Sequence, residues 1–479
     1  MTVTQNPAPV QIENLAKELQ HLLTETATDL AYETGFVQRV RSITGPIFAQ
    51  ALIFGWLAIP DASYTQLQQM FQLIGCSVTT SAIEKRIKAA AADFLLSLLH
   101  ATMTTAIFAE DVDIEILRRF TGVYLQDGTV ISLPTSLREI YKGFGGKKSG
   151  EVKSALRAQV RINLLNGQMF GPWIKDASAY ESEGPGSIEE EEILEYSLFL
   201  ADSAYFTLHR MRWMSDRNKW WLTHARADLN LQDSKGVKKT LVEYIKQHEH
   251  QKVIDEWVTL GATGPTRQKV RIIAFRVSEE TAERRRNKKD KRTKTRGKGS
   301  RRDVRVGKCK ERPSIDGRHR QEVSAKRLQL SDWTILITNM PEELVLAHEA
   351  RVLMRARWQI ELVWRLWKER GEVDIWRSEK DMRILCEIYA KMIGMVIEHW
   401  MTIMGCWNEP HRSQVKASMA VKAVAISCLL TIAGPISLQG VLKAAKKAMK
   451  GQKVMNTQKR PSTSGLLRDP ARILSPAIA

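Results

Sequence analysis

The 479-residue sequence has only five cysteines, Cys76, Cys309, Cys386, Cys406 and Cys428, with no Cys-x-x-Cys pair and no regular spacing among them. That excludes a disulfide framework and a cysteine zinc site, and it fits a reducing compartment. Histidine is also scarce, with 10 in the chain, and the close pair His248-Glu249-His250 lacks the helical spacing of metal ligands and reads as surface residues. The first twenty residues carry no basic start followed by an apolar core, and the most apolar later stretch, Ile384 to Trp407, is interrupted by Glu387, Lys391 and Glu398. Neither a signal peptide nor a membrane span is expected, and a cytoplasmic protein follows. Acidic residues fall short of balance, 53 Asp plus Glu against 72 Lys plus Arg, which leaves a formal charge of +19. Such an excess favours a nucleic-acid partner, because lysine and arginine release condensed counterions when they neutralise phosphates. What is plentiful is apolar material, 43% of residues, enough for real cores. At ~100–200 residues per domain the length corresponds to two to four domains.

Up to about residue 115 the periodicity is helical, with Leu15, Leu19, Leu22 and Leu23, and later Ile83, Phe94, Leu95 and Leu98, at helical spacing. Tyr64–Leu73, a turn through Gly75, and a second segment from Thr79 read either as a helix-turn-helix or as an ordinary helical hairpin. From Thr121 the period changes. Val123–Asp127 reads as a strand, Gly128-Thr129 as its turn and Val130–Leu133 as a continuation. Leu156–Leu165 and Gln168–Lys175 flank an Asn166-Gly167 turn and predict a hairpin. The acidic block Glu189–Glu192 opens a short helix, Leu198–Ala201 is a buried strand ending at Asp202, and Trp220–His224 is another strand after a helical link.

Residues from about 228 to 330 show no such order, and Arg284–Arg312 holds 16 basic residues against Asp290, Asp303 and Glu311, so it supplies +13 of the net charge. This window reads as a tracker of DNA backbone or as a solvated loop. Beyond it Trp333–Asn339 is a strand, Pro341-Glu-Glu initiates a helix, and helices continue to about Trp407 and into a lysine-bearing tail. The glycine-rich Lys142–Ser149 is no phosphate loop, since the first glycine of that spacing would fall on Tyr141.

Asp127 and Asp202 each end a predicted strand, where ligands bind in open sheets and where aspartate also sits simply because it favours turns. A third carboxylate lies in the helical segment Ala356–Lys368, where ~100° per residue puts Arg357, Glu361, Trp364 and Lys368 on one stripe, while Ile360, Val363, Leu366 and Trp367 can pack inward. By itself that stripe is equally an exposed helix with an Arg357–Glu361 pair worth ~0.2–0.5 kcal/mol.

Together these residues resemble bacterial insertion-sequence transposases of the IS-four type. That family's signature sets Tyr, Arg, Glu and Lys apart by two, three and six residues, and Arg357, Glu361 and Lys368 occupy its last three positions, with Met354 at the tyrosine. Gln126-Asp127-Gly-Thr, Leu200-Ala-Asp202-Ser-Ala-Tyr-Phe and Trp333–Asn339 resemble its two aspartate motifs and the strand before its glutamate helix, and Thr34–Arg39 its N-terminal segment.

The resemblance implies an α/β, ribonuclease-H-like catalytic core interrupted by an inserted strand-rich domain, between helical N- and C-terminal regions. The segments would be 1–115 (helical, DNA-binding or dimerising), 116–227 (core, first part), 228–330 (basic insertion), 331–405 (core with the glutamate helix) and 406–479 (basic helical tail). It implies Asp127, Asp202 and Glu361 as catalytic residues and ligands of two Mg2+ ions, which Mn2+ can replace. Arg357 and Lys368 would grip DNA, and Arg226, just beyond a strand end, is a further contact candidate. The implied partners are terminal inverted repeats, target DNA and a second subunit, in prokaryotic cytoplasm at the nucleoid. Trp220, Trp221 and Trp358 are expected in the core rather than stacked on a base. A catalytically inactive DNA-binding relative and a nuclease that cuts without joining are the alternatives.

Overall fold

The structure, a computed structural model, describes residues 11–39, 41–144, 153–180, 182–189, 193–261, 266–287, 326, 328–409, 413–434, 437–450 and 461–474. Most of the basic window, the glycine-rich loop from residue 145 and three of the four acidic residues at 189–192 therefore lie outside the described residues; Glu189 itself is in a turn. Contacts divide the chain into two units: Met1–Arg118, Gly122–Ile193 and Arg357–Ser464 form the first, and Arg119–Thr121, Leu194–Ala356 and Gly465–Ala479 the second.

The first unit begins with helices α1 (Ile12–His21), α2 (Ala27–Glu33), α3 (Gly45–Ala58), α4 (Tyr64–Leu73), α5 (Thr80–Arg86) and α6 (Ala89–Thr104). Their starts are written in the sequence. Ser63 and Gln66 form a reciprocal capping box on α4, and the Thr79 hydroxyl accepts the Ala82 amide at 3.1 Å to start α5. Gly75 supplies the left-handed turn between them at φ 78°. Helix α3 is apolar all round and correspondingly buried, with Phe48, Leu52, Ile53 and Trp56 at its heart.

Strands β1 (Val123–Leu133), β2 (Ser154–Asn163) and β3 (Met169–Asp176) then form an antiparallel meander, with the expected turn at Asn166-Gly167 and Gly167 at φ 75°. The turn predicted at Gly128-Thr129 does not occur. β1 runs straight through because Tyr124 to Leu133 pair in unbroken register with Asn163 to Ser154, and a two-stranded ladder outweighs a local turn preference.

In the second unit β4 (Leu198–Ala201) and β5 (Trp220–His224) are parallel, joined by helix α7 (Leu208–Ser215). Then come β6 (Asn230–Gln232), β7 (Lys238–Thr240), helix α8 (Leu241–Gln247), β8 (Val253–Leu260), β9 (Gln268–Arg276) and β10 (Trp333–Thr338). Their order in the sheet is β4-β5-β10-β9-β8-β6-β7, mixed because only the first pair is parallel.

Strands between residues 228 and 330 are expected from the family resemblance but not from local periodicity, and the reason is electrostatic. Buried Arg271 on β9 is neutralised by Asp255 on β8 through two bonds of 2.6 Å, so charges occupy positions where a half-buried strand is expected to be apolar.

Helix α9 (Ala347–Ala356) starts later than the predicted Pro341, because residues 342–344 form a turn and Glu349 reaches back to accept the Leu346 amide at 2.8 Å. Helix α9 ends at Ala356, and α10 (Trp358–Glu369) begins two residues on.

Back in the first unit, α10 is followed by α11 (Asp381–Cys406), α12 (Gln414–Ala433) and α13 (Leu438–Lys450). Helix α11 is almost wholly buried, packed by α3, α6, α12 and α13. Residues Gln414–Ile432 are long and apolar enough to cross a membrane, but half of that stretch is buried against the other helices of the unit, as in the core helix of a globular protein. The molecule is thus a mixed α/β protein with helices at both ends.

Candidate active site

Asp127 is the fifth of eleven residues in β1, not at a strand end as predicted, and it stands where the strand passes from buried to half-exposed. Its orientation is set by its neighbours. Gln126, fully buried, donates to the Gly186 carbonyl at 2.6 Å and accepts from Arg161 Nε at 2.9 Å, which pins the opposite face of the strand. Arg161 also stacks on Trp173, 5.2 Å from the ring centre. The other face carries Leu125, which with Ile162 lines a cavity of about 40 Å³ closed by Val363 and Trp367 of α10. Residues two apart on a strand share a face, so Asp127 projects from the side of β1 that α10 covers. Its Oδ1 accepts the Gly128 amide at 2.9 Å.

Helix α10 presents Glu361 half-exposed while Ile360, Val363, Trp364 and Trp367 are buried. Trp364 was predicted on the polar stripe; instead it packs edge-on to Trp367 with ring centres 5.2 Å apart, which widens the apolar face. Arg357 donates to Glu361 Oε1 at 2.6 Å and is itself only 14% exposed, and Lys368 lies 3.8 Å from Asp374. Trp358, expected in the core, is 60% exposed, whereas Trp221 is fully buried.

The end of α10 is tied down by Lys391 of α11. Its buried ammonium donates to the carbonyls of Glu372 at 3.1 Å and Ile375 at 2.7 Å, and it pairs with Glu387 at 2.8 Å. Glu387 also meets Arg383, which lies between the rings of Trp56 and Tyr64 at 4.7 and 4.3 Å. Burial lowers the pKa of Lys391, and the charge of Glu387 opposes that shift.

In the second unit Asp202 follows β4 as predicted. It caps a single 3-10 turn, Ser203–Tyr205, accepting the Ser203 amide at 2.6 Å and the Ser203 hydroxyl at 3.2 Å, and its side chain is exposed. Ser203 lines a cavity of about 880 Å³ whose wall includes Thr223, His224, Arg226 and Lys238. Arg226 is paired with Asp228 through bonds of 3.2 and 3.0 Å.

Met354, at the position of the signature tyrosine, is 3% exposed within α9. Asn339, quoted in the strand motif without a role, accepts the Trp221 amide at 2.9 Å and donates to the Lys219 carbonyl at 2.9 Å, so it locks the end of β10 to the start of β5. The signal that could have revealed this was an amide side chain directly after an apolar strand.

Among the described residues, no group of three or more His, Cys, Asp or Glu side chains is gathered so as to hold a metal ion. The predicted donor set is carboxylate oxygen throughout, the chemistry of a hard divalent cation. Asp127 and Glu361 belong to the first unit, on β1 and on the helix that packs against it, and Asp202 belongs to the second.

Carboxylates of this kind, with arginine and lysine near one of them, are the side chains that metal-dependent phosphodiester chemistry uses. Residues 118–397, more than half of the chain, match the family described as Transposase DDE domain. The chain belongs to this family and is a DDE transposase, an enzyme of DNA transposition. The family uses divalent metal ions.

The sequence is 22% identical over 411 residues to the transposase for insertion sequence element IS231B of Bacillus thuringiensis subsp. berliner, covering 81% of this chain and 79% of that protein. It is 23% identical over 403 residues to the transposase for IS231F of Bacillus thuringiensis subsp. israelensis, with 81% and 79% covered. To the transposase for IS1151 of Clostridium perfringens it is 21% identical over 388 residues, with 77% and 76% covered.

Proposed function

We propose that this enzyme moves an insertion sequence by a cut-and-paste route: it binds terminal inverted repeats, hydrolyses the element's ends and directs the freed 3′-hydroxyls against target DNA. Asp127, Asp202 and Glu361 are the catalytic carboxylates and would hold two divalent ions, Mg2+ or in its place Mn2+. Those ions supply activation of water or a 3′-hydroxyl and stabilisation of the leaving oxygen. The observation that carries the reading is that α10, bearing Glu361, packs on the face of β1 from which Asp127 projects.

The chain's own groups do the rest. Arg357 is poised to exchange its carboxylate partner for phosphate oxygens, a bidentate fit for guanidinium, and Lys368 adds a point charge. Arg226 lies on the wall of a cavity next to Asp202, where a DNA strand would be steered toward that carboxylate. The lock of Gln126 and Arg161 and the anchor of Lys391 keep β1 and α10 rigid, so the two carboxylates need little reorganisation. The core is read as ribonuclease-H-like with the strands between β5 and β10 as its insertion, and the active form as a homodimer on paired ends, in the cytoplasm at the nucleoid.

Joining of a pre-cut element end to a target plasmid, with Mg2+ or with chelator, tests this reading. Metal-dependent joining is the expected result. Cutting without joining would identify a nuclease, and DNA binding without either reaction an inactive relative.

A further inference from the structure

The turn that follows α10 is pinned from two other helices of the first unit. After Lys368 the sequence reads Glu369-Arg-Gly-Glu-Val-Asp374, and Gly371 passes so close to Met395 of α11 that a Cβ there would come within 2.5 Å of its sulfur. Glu372 follows at φ 47°, a left-handed conformation that residues other than glycine seldom adopt. The Val373 amide donates to the Trp367 carbonyl at 3.2 Å and the Ile375 amide to the Glu372 carbonyl at 3.1 Å, and Val373 is fully buried.

Lysines from both neighbouring helices hold carbonyls of this segment. Lys422 of α12 donates to the Arg370 carbonyl, and buried Lys391 of α11 to those of Glu372 and Ile375 at 3.1 and 2.7 Å. Water can satisfy the carbonyls of an exposed helix end, so capping alone does not call for a buried ammonium, whose desolvation is costly. What the pinning fixes is Asp374, half-buried, with its Oδ2 3.8 Å from Nζ of Lys368. An ammonium on a flexible four-carbon stem has no fork to orient it, and a carboxylate held at one side narrows its range. The pair is loose and the ammonium has three donors, so Lys368 can meet a phosphate while staying beside Asp374.

We propose that Asp374 is a positioning residue that holds the ammonium of Lys368 where it meets a phosphate at the element's end. This rests on the reading of Lys368 as a DNA contact and adds a residue outside the glutamate-helix signature. Lys368 touches the DNA, and Asp374 acts through it. Bulk electrostatics gives the opposite sign: a carboxylate near DNA repels it, so its removal would tighten binding, whereas removal of a positioning carboxylate weakens it.

The test compares the full chain with Asp374→Asn, Lys368→Ala and the double variant on a duplex carrying a pre-cut element end. Asparagine keeps the shape of the side chain and its preference for turns, so the unfolding temperature is expected to stay at the wild-type value. Lys368→Ala should lower joining about 100-fold and reduce the slope of log affinity against log salt by about one. Asp374→Asn should weaken binding, move the slope the same way and lower joining about tenfold, with Asp374→Glu recovering part of the loss. The double variant should match Lys368→Ala, because Asp374 acts only through that lysine.

Tighter or unchanged binding by Asp374→Asn with wild-type joining overturns the proposal, and so does a double variant about tenfold slower than Lys368→Ala. Asp374→Ser repeats the comparison should Asp374→Asn fail to fold, and wild-type joining there counts against the proposal. Lys368→Ala with wild-type joining and slope would refute the DNA contact and this proposal with it. A wild type that binds the duplex and joins nothing, while both slopes still fall, would refute the transposition reading and leave the pair standing.

Discussion

Arg357, just before α10, donates from Nη2 to Oε1 of Glu361 in its first turn at 2.6 Å, so the cation expected to grip DNA holds the carboxylate expected to bind metal. The pair is partly exposed, and such i,i+4 pairs contribute less than about 1 kcal/mol. Arg357→Ala should therefore change urea stability by under about 1 kcal/mol and leave Mn2+ binding at least as strong, since a competing cation is gone. End joining should fall on the order of 100-fold through lost phosphate contact, which a joining assay beside a metal titration would separate.

Gln126 joins β1 to buried Arg161. Gln126→Leu is close in volume but leaves the Arg161 Nε without its acceptor, and an unmade bond to a buried charge costs about 1–3 kcal/mol. Equilibrium unfolding should show that loss. Joining at a permissive temperature should survive, since the residue faces away from α10.

Met354 is 3% exposed, so a tyrosine there would have to fit a closed space and find a hydrogen-bond partner. Met354→Tyr should cost about 1–3 kcal/mol by overpacking and should not raise the rate of joining. A stable variant with faster joining would show that the position reaches DNA after all.

His399 of α11 donates from Nε2 to the Gly167 carbonyl at 2.7 Å, and burial brings its pKa down from 6.5 to about 4. Because the folded value is depressed, the unfolded chain takes up the proton first as pH falls. The stability that neutral His399 contributes is complete above 6.5 and is lost as pH drops toward 4. Unfolding midpoints at pH 7 and pH 5 should differ more for the wild type than for His399→Gln.

The elements legible in the sequence were those with one dominant local signal. Asn166-Gly167 fixed the β2–β3 hairpin, and the apolar runs at Leu198, Trp220 and Trp333 read correctly as strands. The strands β8 and β9 were hidden because Arg271 and Asp255 cancel each other across the sheet, a relationship that appears only once the register is known. Asp127 was assigned to a strand end because Gly128 resembles a turn, and only the ladder to β2 shows otherwise. The Arg357–Glu361 spacing was legible, but the exposure of Trp358 and the burial of Trp364 depend on which side of α10 meets β1.

The most direct measurement is strand transfer of a pre-cut end by the purified chain with Mg2+, comparing wild type with Asp127→Asn, Asp202→Asn and Glu361→Gln. Each substitution removes one charge and hardly changes shape. The account predicts that all three bind the end DNA within about threefold of the wild type while joining falls on the order of 1,000-fold or more. Wild-type joining by any one of them would contradict its place among the catalytic carboxylates.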